Sequence, residues 1–134
     1  MQKDLMSNVD DRVGMNIQAI STNTTTSGAI IDTAGYESLV FVVQSGTLTD
    51  GTYTIALQEG DNAALSDAAT VASANLIGSL PVFAATDDNV TKRIGFVTTK
   101  RYARLQIVST GVTTGGTLGC VAVLGDPATA PVAQ

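Results

Sequence analysis

Apolar positions in this chain come in short runs, broken every dozen residues or so by Gly, Asn, Asp and Thr. Val13, Met15, Ile17 and Ala19 alternate with polar neighbours, which predicts a half-buried strand with those four residues facing inward. Ala29-Ile30-Ile31-Asp32 predicts a second short strand, stopped at Ala34-Gly35. Leu39-Val40-Phe41-Val42-Val43 is apolar on both faces, so it predicts a strand covered on both sides, by the fold or by a partner. Asp50-Gly51 then carries a strong hairpin signal, and Tyr53, Ile55 and Leu57 form the inward row of the following strand. The stretch 59–79 is ambiguous: Asn62 to Leu65 suits a helical turn and the Ala-rich segment 67–75 a short helix. Val71 and Thr70 weaken that helix and favour a loop feeding a short strand near Leu76-Ile77.

Residues 90–97 and 102–109 form the clearest pair of strands, with Ile94 and Phe96 inward in the first and Ala103, Leu105 and Ile107 in the second. A turn over 111–116 precedes a closing strand, 118–124. About eight strands at this spacing predict an antiparallel β-sandwich. It occupies residues 13–125, between an N-terminal arm (1–12) and an extended C-terminal tail (126–134). Pro127 and Pro131 favour polyproline-like backbone and are expected to stay out of any central strand.

With 134 residues the chain makes one ordinary domain. Charged residues are only 14% of the total, against about 25% in a typical globular protein, so much of the surface must be Thr, Ser, Gly and Ala. Such a surface suits lasting contact with partners or an extracellular or virion setting. A net charge of −5 repels phosphate backbones and argues against nucleic-acid binding. No apolar run approaches the roughly 18 residues of a membrane span, and no secretory h-region is visible, so synthesis in a cytoplasm is expected. The single cysteine, Cys120, lies in an apolar run and is expected in the core, resistant to thiol reagents.

Catalytic chemistry is hard to assemble from these residues. The chain has no histidine, which removes the commonest general base and zinc ligand, and one cysteine builds no thiolate site. No phosphate-binding glycine motif occurs. Glu59, Asp61 and Asp67, and separately Asp87 and Asp88, are expected as solvated loop charges rather than a cation site, because the spacing matches no calcium loop. No cofactor or metal is expected, and the chain does not read as an enzyme. A sugar-binding module is a rival, since such modules are often sandwiches of this size, but with no Trp, three Tyr and three Phe the supply of stacking faces is thin.

Five of the seven basic residues fall within 92–104. If the two strands there pair, Arg93, Lys100 and Arg104 form a basic strip around Tyr102. The strip is either a solvated face or an interface, for which Arg and Tyr are favoured types.

The runs Thr54-Ile55-Ala56-Leu57-Gln58-Glu59-Gly60-Asp61, Ala74-Asn75-Leu76-Ile77-Gly78, Arg93-Ile94-Gly95-Phe96 and Lys100-Arg101-Tyr102-Ala103-Arg104-Leu105 resemble small proteins encoded in head gene clusters of tailed bacteriophages. The ending Val121-Ala122-Val123-Leu124-Gly125-Asp126-Pro127 is similar too, and the resemblance extends from about Ile31 onward. These proteins look like head decoration or cement proteins. The resemblance implies a jelly-roll-like sandwich on the outer capsid surface of a virion, with the major capsid protein and a second copy of itself as partners. A homodimer is favoured over a trimer. The resemblance carries over no site residue; from the residues themselves, Arg93, Lys100, Arg101, Tyr102 and Arg104, the strand carrying Leu39 and Phe41, and the termini with Pro127 and Pro131 are expected to meet the capsid or another copy. A low-copy head-completion or tail protein is the alternative within the same setting.

Overall fold

The computed structural model describes residues 5–97 and 100–127. After a short 3-10 turn (Met6–Asn8), the long strands fall into two antiparallel sheets packed face to face. The first sheet has the order β1 (Asp10–Ile20), β11 (Gly116–Pro127), β4 (Tyr36–Leu48), β9 (Thr91–Val97) and a short edge strand, β7 (Leu76–Ile77). In the second, β10 (Tyr102–Thr110) lies next to β5 (Thr52–Gly60). The outer flank of β10 carries β2 (Thr25–Ser27) and β3 (Ile31–Asp32); the outer flank of β5 carries β6 (Ala69–Thr70) and β8 (Val82–Ala84). If β2 with β3, and β6 with β8, are each taken as one interrupted strand, the long positions run first–eighth–third–sixth in one sheet. They run second–seventh–fourth–fifth in the other. That is the double Greek key of a jelly roll.

The core lies between the sheets and is built by strict alternation. Leu39, Phe41 and Val43 of β4, Ile94 and Phe96 of β9, and Leu118, Ala122 and Leu124 of β11 face Tyr53, Ile55 and Leu57 of β5 and Ala103, Leu105 and Ile107 of β10. The Phe41 and Phe96 rings stack nearly parallel, with centroids 6.4 Å apart. Each large apolar side chain buried here contributes about 1.5–3 kcal/mol relative to exposure.

Three expectations about neighbouring strands are corrected. Residues 90–97 and 102–109 do not pair: β9 pairs with β4 and β7, while β10 pairs with β5, β2 and β3. Asp50-Gly51 does not close a hairpin either. Gly51 has the expected positive φ of 93°, but the turn is a corner taking the chain from one sheet to the other. The Asp50 carboxylate fastens it by accepting hydrogen bonds from the amides of Thr113, Thr114 and Gly115, which lowers its pKa. In a jelly roll most consecutive strands cross between sheets, so a sharp turn does not identify its flanks as partners.

The third correction concerns β1. Its register against β11 shifts between Val13 and Met15 and again between Met15 and Gln18. Each irregularity changes which face the next residue takes. Met15 and Ile20 are therefore buried, whereas Val13 and Ile17 are 56% and 81% exposed.

The ends of the sandwich also differ from the expected arms. β1 begins at Asp10, inside the segment expected as arm, and β11 runs on through Pro127, opposite Tyr36. The β1–β11 ladder stops at Asp10–Leu124, so beyond Leu124 this central strand keeps one ladder partner, where a proline is tolerated. Pro131 lies outside the described residues. Between 59 and 79 the short strand at Leu76–Ile77 is present, and helix is confined to one 3-10 turn, Ser73–Asn75.

Candidate interaction surfaces

Strand β1 crosses the open edge of the sandwich close to β3, and this brings charged and aromatic side chains to one corner. Arg12 makes an ion pair with Asp10 at 3.0 Å, donates to the Asp32 carbonyl at 2.7 Å, and lies 5.8 Å from the Tyr36 ring centroid. Asp32 in turn holds Arg101 through two parallel hydrogen bonds of 2.9 Å, Nε to Oδ1 and Nη2 to Oδ2. The Arg101 guanidinium sits 5.2 Å from the Tyr102 ring centroid. Thr33 donates from both its amide and its hydroxyl to the Arg101 carbonyl, fixing the backbone from which this pair projects. The Arg101 hydrogen bonds hold the Asp32 carboxyl down at about 2, and Arg101 is raised reciprocally.

The residues of the expected strip, Arg93, Lys100, Tyr102 and Arg104, together with Arg101, are thus distributed rather than continuous. Arg101 and Tyr102 belong to the corner. Arg104 lies on the outer face of the second sheet and donates to Gln58 Oε1 at 2.8 Å. Lys100 is exposed in the preceding loop and meets Asp61 at 3.3 Å. Arg93 is on the outer face of the other sheet, because its strand belongs there; it makes no ion pair among the described residues. Leu39 and Phe41, expected at a contact surface, are core residues 1% and 0% exposed; the outward positions of their strand are Val40 and Val42. Pro127 ends β11 opposite Tyr36, at the same corner.

The carboxylates act locally. Asp67 accepts from the amides of Asp61 and Asn62 and has a lowered pKa for that reason. Asp87 accepts from the Ala84 amide and from Lys92, and its pKa is lowered as well. No cluster of three or more metal-ligating side chains occurs among the described residues, and no helix among them is long and apolar enough to cross a membrane.

A second surface is the outer face of the first sheet. A groove of about 630 Å³ opens there between the bulged β1 and its neighbours, lined among others by Val13, Ile17, Val42, Gly119 and Val121, with the core residue Cys120 beneath. Burial pushes the Cys120 thiol up to about 12.

The architecture is shared with a solved structure, the PBSX exported protein XepA. The likeness has a TM-score of 0.63 at 16% sequence identity and covers 92% of this chain. The chain spans 39% of the XepA chain, so it corresponds to one part of that protein. At this identity the match with XepA shows the fold. No family model matches the sequence, and no curated protein is significantly similar to it.

Four members of the corner were missed in the sequence: Asp10, Arg12, Asp32 and Tyr36. Asp10 and Arg12 were hidden by the arm assignment, although their spacing of two puts them on one side of a strand. Asp32 and Tyr36 carry no local signal, because only the strand order brings them beside Arg101.

Proposed function

We propose that this chain is a structural virion protein that binds the outer surface of a phage capsid and cements neighbouring major capsid subunits, with no catalytic activity of its own. The observation that carries this reading is the molecule's division of labour. A jelly-roll core leaves one outer sheet face aliphatic and gathers Arg and Tyr at one corner, and those are contact-forming features without a reactive group. The head-gene resemblance, and the fold shared with the PBSX exported protein, support a phage-related role. A cement protein acts by binding the assembled shell and not the separated subunits, so its stabilising effect is one of mass action multiplied over many sites.

The sugar-binding alternative is weakened by where the aromatics lie. Phe41, Phe83, Phe96 and Tyr53 are fully buried, and the half-buried Tyr36 and Tyr102 each have an arginine against the ring. No ring is left as an open stacking platform.

Quantitative mass spectrometry of purified virions tests the proposal. A copy number comparable to the major capsid protein is expected. A few copies per particle would instead mean a head-completion or tail part, and absence from particles would sink the capsid reading. Capsid contact at the corner is tested by Arg101→Glu, which should abolish shell binding with an unchanged circular dichroism spectrum. Unchanged binding would remove the corner from the contact.

A further inference from the structure

We infer that the outer face of the β1–β11–β4–β9 sheet is a self-association surface whose occupant is the same face of a second copy of this chain. The inference comes from cross-strand rows. Val13, Val121, Val42 and Arg93 stand opposite one another in one row. Asp11, Val123, Val40, Gly95 and Ile77 form the next. Gly125, Ser38 and Val97 form a third. Val13, Ile77, Val97 and Val121 are between 44% and 64% exposed on a surface with few polar groups.

The outer face of the second sheet, on the opposite side of the sandwich, shows what such a face looks like when it is meant for water. Its rows are Thr25–Val108–Thr54, Ser27–Gln106–Ala56 and Arg104–Gln58. Sandwiches need one apolar face per sheet, and the first sheet has two. A contiguous apolar face of this extent marks an interaction site.

Charge placement identifies the occupant. The three rows contain two ionic side chains, Asp11 on edge strand β1 and Arg93 on β9 at the other side, one row apart. The Asp126 carboxylate accepts from Ser38 at the end of the third row. Neither Asp11 nor Arg93 has an ion pair among the described residues. A two-fold axis running along the strands between β11 and β4 carries β9 of one copy over β1 of the other. Each Arg93 then meets the partner's β1 edge beside its Asp11, so two such pairs flank a core of facing valines. An isologous contact requires this kind of self-complementarity. The extent is sufficient: four strands about 4.8 Å apart and about seven residues long at 3.4 Å each, with the two residues of β7, give roughly 500 Å² per copy. The pair would bury about 1,000 Å² in total, the lower bound for a specific interface. The inference does not depend on the capsid reading.

The test is the mass in solution of the full chain, by size-exclusion chromatography with light scattering over a concentration series. The unmodified protein is expected at twice its 13.7 kDa chain mass. Val121→Lys and, separately, Val13→Lys should each give the single-chain mass with an unchanged circular dichroism spectrum; two exposed positions are used so that misfolding of one does not decide the matter. Arg93→Asp should weaken association on the order of tenfold or more, and adding Asp11→Arg should restore it. A single-chain mass at every concentration would overturn the inference. So would an oligomer that survives both lysine variants, or a charge swap that fails to restore association.

Discussion

Gly28 is the position where the two sheets are fastened along one edge, and replacing it tests the closure of the sandwich. Gly28 and Ala29 lie in the break between β2 and β3. Their amides donate in opposite directions, Gly28 to the Leu105 carbonyl of β10 and Ala29 to the Gly14 carbonyl of β1 in the other sheet, both at 2.8 Å. A Cβ on Gly28 would overlap the Gly14 carbonyl oxygen and lie 2.9 Å from that of Leu105. Both obstacles are backbone in strands that are themselves paired, so the 28–29 segment must lift away and lose both hydrogen bonds. At about 1 kcal/mol net for each bond, and with some loss of packing at buried Gly14, the cost is about 2–3 kcal/mol. Reduced freedom of the unfolded chain on Gly→Ala returns about 0.4–1 kcal/mol, leaving Gly28→Ala about 2 kcal/mol less stable. Gly125→Ala is the control: its Cβ would meet only the Ser38 side chain, at 3.7 Å, in a backbone conformation open to any residue. Equilibrium urea unfolding should show a lower midpoint for Gly28→Ala with an unchanged m-value, and Gly125→Ala at or slightly above the parent. If the two variants fall within about 0.5 kcal/mol of each other, the 28–29 segment does not fasten the sheets and the corner is looser than described.

Two further outcomes follow from the titrating groups. Asp32 is about 2 in the folded chain against 3.8 unperturbed, so its contribution is fully present above pH 4 and is lost as pH falls toward 2. Both partners are more than a third exposed, so the difference between the parent and Asp32→Asn should stay under about 1 kcal/mol at pH 6 and vanish near pH 2. Unfolding curves at the two pH values check this, and a gap that widens on acidification contradicts the pairing. With its thiol pushed up to about 12, Cys120 should react with a maleimide at pH 8 only through opening of the sheet, and quickly once urea unfolds the chain. Rapid labelling of the native protein would place Cys120 outside the core.

The parts of the fold legible in the sequence were those set by alternation within a strand. Leu39, Phe41 and Val43, then Tyr53, Ile55 and Leu57, then Ala103, Leu105 and Ile107 are inward because a pleated strand has a period of two, and no knowledge of neighbours is needed to say so. The bulged β1 is where that logic fails. Two register irregularities turn Val13 and Ile17 outward, and the residues around them give no local notice of it beyond Gly14. Buried Gly14 lends its carbonyl to Ala29 and lies against Cys120, a close approach visible only when both sheets are in place.

Pairing was the other illegible property, and it governs function more than the inward rows do. The basic residues of 92–104 look like one strip if adjacent strands are partners, but the jelly roll places β9 and β10 in opposite sheets. Arg93 then belongs to the valine face, and Arg101 joins Asp32 at the corner, 69 positions away in the chain. One apparent charge cluster thereby becomes two separate surfaces with different chemistry. The first is aliphatic with a single cation near its edge, suited to burying area against a copy of itself. The second is a half-exposed network of paired charges on aromatic rings, suited to a polar partner. The Leu39–Val43 run connects these arguments, because its inward residues account for the sandwich while Val40 and Val42, equally apolar, have no role in it. A strand whose outward side chains are as apolar as its inward ones suits a second covering, the place inferred above for a second copy of the chain.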